Sequence, residues 1–194
     1  MQTAQFALHA ELEDRHWWFR GRRCIVRRLV QRILPPAPDR AIIDIGCGTG
    51  ASIAAFAGQY ACLGIDPTPE AIALARSRFP QIDFICGSVP LHLGMEEKVR
   101  LLLLLDVLEH VPDDTALLTD LAGMMRPGEH LLVTVPADMS LWSQHDASYG
   151  HFLRYDPQRL RQAWVDLPFS TRLISHFNAR LYPIIRALRT LGRW

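Results

Sequence analysis

A glycine-rich stretch, IIDIGCGTGAS at residues 42–52, gives the clearest indication of a ligand-binding site. Gly46, Gly48 and Gly50 follow an apolar run, and glycines at such a turn let a ligand approach the backbone closely. Asp66 stands at the end of the next apolar run, where its carboxylate can accept hydrogen bonds from a ribose diol. These residues fit any ligand that contains adenosine.

Asp44 separates the ligands that this turn admits. The stretch satisfies the loose dinucleotide pattern G-x-G-x-x-G/A, so a dinucleotide-dependent oxidoreductase is one alternative. A pyrophosphate needs a helix N-terminus without a nearby anion, and Asp44 opposes it. S-adenosylmethionine carries a sulfonium and an ammonium but no phosphate. An acidic residue beside the turn therefore favours S-adenosylmethionine.

Histidines follow two later apolar segments of the chain. His110 lies in LEHV, and His145 and His151 lie in WSQHDASYGHFLRY, residues 142–155. If the acceptor is a hydroxyl group, one of these histidines can serve as a general base, and Asp146 places a carboxylate beside His145. Helix capping and ordinary loop positions are the alternatives. The four cysteines lack metal-ligand spacing, so we predict free thiols and no metal.

Strands and helices must alternate to position these residues. The alternation predicts an α/β fold with a doubly wound, mostly parallel sheet wrapped by helices. The predicted strands are Ala41–Ile45, Ala61–Ile65, Ile82–Cys86, Val99–Leu105, His130–Val135 and Ser170–Phe177. The predicted helices are residues 6–34, Gly50–Gly58, Pro69–Arg78, Asp113–Met125, Pro157–Val165 and Asn178–Leu191.

Three motifs together resemble those of the class I S-adenosylmethionine-dependent methyltransferases. DIGCGTG with GID resembles their cofactor motifs, and LLLLLDVLEHVPDD (101–114) and RPGEHLLVTVP (126–136) resemble their fourth- and fifth-strand segments. The chain looks most like the small-molecule branch that includes quinone-pathway methyltransferases. The resemblance runs from about Arg40 to Pro136 and implies a Rossmann-like fold. Because no seventh strand is recognisable, we expect a sheet without it.

The resemblance also implies a single methyltransferase domain over residues 1–194. Residues 1–36 would form an N-terminal helical segment that acts as a lid, and residues 40–136 the cofactor-binding core. Residues 137–194 would contain a substrate-side loop, the sixth strand and an amphipathic C-terminal helix.

S-adenosylmethionine would be held mainly by residues at the carboxyl ends of the strands. Ser88 stands where the family often has an aspartate that meets the adenine, and Arg22 or Arg23 is the closest match to an arginine that binds the methionine carboxylate. The implied cofactor residues are Asp44, Gly46, Cys47, Gly48, Asp66, Pro67, Ser88, Leu105, Asp106 and Arg22.

An aromatic segment, EDRHWWFRGRR at residues 13–23, is a candidate for substrate contact. Trp17, Trp18 and Phe19 are consecutive, so they cannot all face the same core from one helix. Trp17 and Trp18 would close over a planar or apolar acceptor, together with Trp142. The alternative is an aromatic anchor that ties the helix to the sheet edge.

Charge and pattern limit the partners that we expect. The net charge is +1, although both ends are rich in arginine, and no acceptor motif of base-modifying methyltransferases follows the fourth strand, so we expect no nucleic acid. An apolar stripe between the arginines of residues 178–191 suits a helix on a membrane surface or a partner subunit, with packing on its own sheet as the alternative. An uncovered sheet edge would favour a homodimer.

Taken together, the motifs predict a methyltransferase that acts on a small or lipid-linked molecule, at oxygen rather than another atom. The alternative is a relative that binds S-adenosylmethionine but catalyses little or nothing. The N-terminus has acidic residues where an export signal needs an apolar block, and no apolar run reaches the length of a membrane span. We therefore expect a cytoplasmic protein, and peripheral membrane contact through the C-terminal helix is one alternative to the packing of that helix on its own sheet.

Overall fold

The computed structural model describes residues 3–90 and 98–191, which form two compact units. The first unit contains four helices and five strands, which are α1 (Thr3–Arg15), α2 (Trp17–Ile33), β1 (Arg40–Ile45), α3 (Ala51–Ala54), β2 (Ala61–Asp66), α4 (Pro69–Arg78), β3 (Asp83–Cys86), β4 (Val99–Leu105) and β5 (His130–Thr134). The second unit contains α5 (Asp114–Met124), α6 (Gln144–Ser148), α7 (Pro157–Gln162), α8 (Tyr182–Thr190) and the 3₁₀ helices Leu108–His110 and Met139–Leu141.

The five strands form one parallel sheet in the order β3-β2-β1-β4-β5. Ile43 of β1 pairs with Leu63 of β2 on one side and with Leu102 of β4 on the other. The strand order reverses between β1 and β4, and open sheets of this kind bind ligands at the carboxyl ends of the strands beside such a reversal. The predicted fold class is therefore confirmed, and it places the glycine-rich turn at that position.

The two central strands make up the middle of the core. Ile42 and Ile43 of β1, and the run Leu101–Leu104 of β4, are fully buried. Val26 and Val30 of α2 join the same apolar cluster, so the second helix packs on the sheet. This burial explains why both strands read as nearly continuous apolar runs, as is typical of central parallel strands.

The N-terminal helical segment differs from the single helix predicted for residues 6–34. It is broken at His16, whose backbone is extended, with φ −74° and ψ 130°. The His16 imidazole accepts a hydrogen bond from the Trp18 amide at 3.3 Å and so caps α2. A local side-chain acceptor thus replaces the helical hydrogen bonding that the periodicity had predicted.

The prediction of a sixth strand at Ser170–Phe177 is wrong. The segment has no regular secondary structure, and Leu173 is 62 % exposed. Strand-forming residue types need a partner strand and a face to bury, and this segment pairs with no strand that the structure describes. Predicted helices are also shorter in the structure, because Gly50–Gly58 yields only the single turn α3 and Asn178–Leu191 yields α8.

Within the described ranges, no helix is both long enough and apolar enough to cross a bilayer.

Candidate functional site

The glycine-rich turn begins directly after β1 and is fixed against β2. The amides of Gly46 and Cys47 both donate hydrogen bonds to the Ile65 carbonyl, at 2.8 and 3.0 Å. Gly48 has φ 53° and Gly50 has φ 85°, a left-handed conformation that side chains other than glycine disfavour. The turn therefore requires glycine for its backbone shape and leaves its amide groups close to the strand ends.

Asp66 forms hydrogen bonds with this turn, a structural role that the sequence did not predict in addition to the ribose contact. Its Oδ2 accepts a hydrogen bond from the Gly48 amide at 2.9 Å, and its Oδ1 accepts one from the Thr68 amide at 2.9 Å. An ionised carboxylate has about four lone-pair positions. Asp66 can therefore hold the turn and still accept hydrogen bonds from a ribose diol.

Asp44 is a buried carboxylate, 1 % exposed, at the carboxyl end of β1. Neither of its oxygens has a hydrogen-bond partner among the residues that the structure describes. Burial raises the pKa of Asp44 from 3.8 to about 7, against the lowering effect of Arg22 and with smaller raising effects from Asp66 and Glu13. A buried carboxylate without a donor is costly, and a bound cation would relieve that cost.

Arg22 of α2 is the positive group that acts on this carboxylate. Its Nη2 donates a hydrogen bond to the Thr134 hydroxyl at the end of β5, at 3.0 Å. Its charge lowers the pKa of Asp44, whereas Arg23 makes no such contribution. Of the two candidate arginines, Arg22 is the one that the fold brings to the carboxyl ends of the strands.

A contact between α1 and the glycine turn was missed by sequence reasoning. The Thr49 hydroxyl donates a hydrogen bond to Glu13 Oε2. Arg78 Nη1 donates to the same Glu13 oxygen at 2.9 Å and to the Thr49 carbonyl at 3.0 Å, and its Nη2 binds Asp14 at 3.1 Å. Glu13, Thr49 and Arg78 are far apart in the sequence, so no local motif marks this contact.

The other predicted cofactor residues of the first unit differ in exposure. Cys47 is buried, and burial raises the pKa of its thiol, so it is an inert thiol next to the turn. Pro67 and Ser88 are exposed, and Leu105, the last residue of β4, is half-buried. Asp106 follows Leu105 in the chain and has a left-handed backbone, with φ 58°.

The predicted aromatic substrate residues lie in both units. Trp17 is 63 % exposed, and its ring packs edge-on against the half-buried Trp18, with centroids 6.0 Å apart. Trp142 is half-buried and follows the 3₁₀ helix Met139–Leu141 in the second unit. An exposed tryptophan at the start of α2 is available for contact with a ligand.

The second unit brings His110 and His151 together. The Phe152 amide donates a hydrogen bond to the Glu109 carbonyl at 2.7 Å, which holds the later segment beside the 3₁₀ helix Leu108–His110. The two imidazole rings lie edge to face with centroids 4.6 Å apart. Partial desolvation and the neighbouring His151 ring lower the pKa of His110 below its usual value.

Asp146 orients His151, whereas the sequence had suggested His145 as its partner. Asp146 is fully buried, and its Oδ1 lies 3.1 Å from His151 Nδ1 and accepts a hydrogen bond from Arg154 Nε at 2.8 Å. Burial opposes ionisation, but hydrogen bonds from Arg154 and Ser143 outweigh it and lower the pKa of Asp146 to about 2. The permanent carboxylate fixes the orientation of the His151 ring.

His145 is exposed, as is His110, whereas His151 is half-buried. The His145 ring packs 4.3 Å from that of Tyr149, and partial burial lowers the pKa of His145. The His110 and His151 rings pack directly against each other, whereas the His145 ring packs against Tyr149.

In the part of the chain that the structure describes, one group of side chains could ligate a metal ion, and it consists of Glu109, His110 and His151. Their ligand atoms lie within 4.8 Å of one another, and Glu109 is buried. Imidazole and carboxylate groups suit a divalent transition metal. The sequence predicted no metal, so chelation is the test of that prediction.

The comparisons with known proteins identify the class. The profile of the methyltransferase-domain family matches residues 18–182, and the chain belongs to this family, within the class I S-adenosylmethionine-dependent methyltransferases. It is 35% identical over 114 residues to a trans-aconitate 2-methyltransferase of Methylobacterium nodulans, covering 57% of this chain and 43% of that protein. It is 28% identical over 143 residues to a ubiquinone biosynthesis O-methyltransferase of Nitrobacter winogradskyi, covering 71% and 54%.

Solved structures share the fold at low sequence identity. A phosphoethanolamine N-methyltransferase of Haemonchus contortus in complex with S-adenosylmethionine has a TM-score of 0.66 at 15% identity, over 86% of this chain and 42% of that one. The N-methyltransferase NodS of Bradyrhizobium japonicum in complex with S-adenosylhomocysteine has a TM-score of 0.62 at 19% identity, over 79% and 76%. The chain spans about half the length of the curated relatives it matches.

Proposed function

We propose that the protein transfers a methyl group from S-adenosylmethionine to an oxygen atom of a small or lipid-linked molecule. The observation that carries the cofactor assignment is Asp44, a buried carboxylate that lacks a hydrogen-bond donor among the described residues and borders a glycine turn. A ligand with an ammonium and a sulfonium would supply a hydrogen-bond donor and positive charge to this carboxylate, whereas the phosphates of a dinucleotide would add negative charge.

Each half of the cofactor has a candidate partner in the first unit. Asp44 would bind the ammonium group of the methionine part, and Arg22 its carboxylate. Asp66 would accept hydrogen bonds from the ribose hydroxyls while it holds the Gly48 amide. When bound, S-adenosylmethionine supplies an electrophilic methyl group on its sulfonium, so the protein need only orient the acceptor and manage its proton.

Proton removal from an acceptor hydroxyl falls to His151 or His110. His151 is held by the ionised Asp146, an arrangement that stabilises the imidazolium formed when the ring takes a proton. Partial burial and the neighbouring His151 lower the pKa of His110, which favours its neutral form, and the neutral ring can accept that proton. The aromatic residues Trp17 and Trp142 are candidates for contact with the methyl acceptor.

Oxygen as the acceptor atom is supported by the histidine arrangement and by relatives. A hydroxyl must lose its proton during transfer, and His151, which Asp146 orients, can act as the general base that removes it. The matched proteins include ubiquinone biosynthesis O-methyltransferases of Nitrobacter winogradskyi and Rhodopseudomonas palustris. A small-molecule or lipid-linked acceptor is in keeping with both observations.

Calorimetry and a turnover assay test the proposal in two steps. The protein should bind S-adenosylhomocysteine, and Asp66→Ala should weaken that binding about 10- to 100-fold, because it removes a charged acceptor that also shapes the turn. Asp83→Ala, an exposed carboxylate on β3, is the matched control and should change little. Failure to bind S-adenosylhomocysteine would refute the cofactor assignment.

The acceptor requires a labelled methyl donor and a panel of hydroxylated metabolites and lipid extracts. Transfer of label to an oxygen atom of one of these compounds would support the proposed reaction. Tight binding of S-adenosylhomocysteine without transfer to any acceptor would contradict it and favour the non-catalytic alternative. Label on nitrogen or carbon would overturn the choice of oxygen alone.

A further inference from the structure

Helix α2 carries arginines on the side that points away from the sheet. The helix contains several arginines and no acidic residue. Val26 and Val30 lie in the apolar cluster on the sheet, so helical periodicity fixes which side chains point outward. The fully exposed arginines of the helix are Arg20, Arg27, Arg28 and Arg32.

No carboxylate neutralises these four arginines within the described ranges. Their side chains form neither an ion pair nor a hydrogen bond with a described residue. On the preceding helix, Glu13 and Asp14 are instead held by Arg78. Arg27 acts electrostatically on Tyr60, but burial raises the pKa of that hydroxyl, so Tyr60 stays neutral and offers no counter-charge. The outer side of α2 therefore keeps its positive charge and attracts a negatively charged partner.

Two apolar side chains lie among these arginines. Trp17 is 63 % exposed and Ile25 is 42 % exposed. Ile25 lies between Trp17 and Arg32 on the same side of the helix, because it is about two helical turns from each of them. The helix rises 1.5 Å per residue, so this mixed surface extends over about 22 Å. We call it the α2 face, and it comprises Trp17, Arg20, Ile25, Arg27, Arg28 and Arg32.

We propose that the α2 face binds an anionic lipid bilayer. Arginines clustered on one helix would pair with lipid phosphates, and Trp17 and Ile25 would enter the boundary between headgroups and acyl chains. Tryptophan is enriched at this boundary, and its position there is in keeping with contact to a lipid-linked acceptor. Binding of the bilayer itself does not depend on the methyl-transfer reaction.

The composition of the α2 face favours lipid over the other polyanionic partners. A bilayer presents negative charge and apolar groups side by side over the whole length of the face. A nucleic-acid backbone presents phosphates but no apolar surface that would cover Ile25. Two copies of the chain that met through this face would bring arginines together without acidic partners.

Vesicle sedimentation with the full chain tests the proposal. We expect binding to vesicles that contain phosphatidylglycerol, weaker binding to phosphatidylcholine alone, and release as the salt concentration rises. Arg28→Gln/Arg32→Gln should lower the partition coefficient for anionic vesicles about 10- to 30-fold, because two charges that face the lipid phosphates are lost. Ile25→Ser should weaken binding to both kinds of vesicle, because an apolar side chain no longer enters the boundary.

The matched control is Arg161→Gln/Arg172→Gln, which removes the same charge from two exposed positions of the second unit. It should bind vesicles as the unchanged protein does, and circular dichroism should show that all variants are folded. Absence of binding to anionic vesicles, or equal loss of binding in the control and in Arg28→Gln/Arg32→Gln, overturns the proposal. Binding to a labelled oligonucleotide but not to vesicles, lost in Arg28→Gln/Arg32→Gln, would also overturn it and assign the face to nucleic acid.

Discussion

Replacing Asp44 with asparagine should stabilise the free protein and at the same time weaken its binding of S-adenosylmethionine. The carboxylate is buried without a hydrogen-bond donor among the described residues, and its pKa is raised from 3.8 to about 7. A raised pKa of an acid means that ionisation costs free energy in the folded state. The protein should therefore be less stable at pH 8 than it would be with a neutral residue at this position.

The size of the effect follows from the pKa. A rise from 3.8 to about 7 corresponds to about 4 kcal/mol of folding free energy once the group is ionised in both states. The orphaned amide of asparagine costs about 1–3 kcal/mol. The net stabilisation by Asp44→Asn at pH 8 is then about 1–3 kcal/mol. The cost of ionisation develops between about pH 4 and pH 7, so it should disappear below pH 4, where the carboxyl is protonated in both states.

Urea unfolding at several pH values measures this difference, with Asp83→Asn as the control for an exposed carboxylate. Calorimetry with S-adenosylmethionine should show affinity about 10- to 100-fold lower for Asp44→Asn, because the proposed charged hydrogen bond to the ammonium group would be lost. A variant that is less stable than the unchanged protein by the same amount at every pH would refute the reasoning. Such a result would mean that ionisation of Asp44 costs no folding free energy in the free protein.

Three further predictions follow from the other contacts. Arg78→Met should free α1 from the glycine turn, lower the free energy of unfolding in urea by about 2–4 kcal/mol and weaken the binding of S-adenosylhomocysteine. The exposed control Arg161→Met should change neither the stability nor the binding. His151→Ala should lower kcat by about 100-fold or more, whereas His145→Ala should change it little. If His110 takes the proton, the rate should rise with pH over a range below that of an ordinary histidine, because partial burial and the neighbouring His151 lower the pKa of His110. Chelation should leave the rate unchanged, and a loss restored by added metal would show that the prediction of a metal-free reaction is wrong.

Much of the first unit could be predicted because its signals are local. Five of the six predicted strands are present, since a buried parallel strand reads as an apolar run whatever surrounds it. The turn at Gly46–Gly50 is equally visible, because left-handed backbone selects glycine directly. The same local rules failed at Ser170–Phe177, where strand-forming residues have no described strand to pair with.

The arrangement of the histidines shows where local reasoning ends. Adjacency in the sequence suggested that Asp146 serves His145, but in the structure it binds His151. The capping box at Ser143 and the hydrogen bond from Arg154 direct the Asp146 carboxylate inward, and His145 remains exposed. Which side chain a buried carboxylate meets depends on the path of the chain.

The sequence by itself determined the α/β fold and the position of the glycine-rich turn, and it predicted a cationic ligand beside Asp44. These features follow from backbone conformation and from the chemistry of neighbouring residues. Only the tertiary structure decided that Arg78 joins α1 to the glycine turn and that Arg22 reaches the end of β5. The physical reason is that these features depend on contacts between distant segments and on burial, and both arise only when the chain is folded.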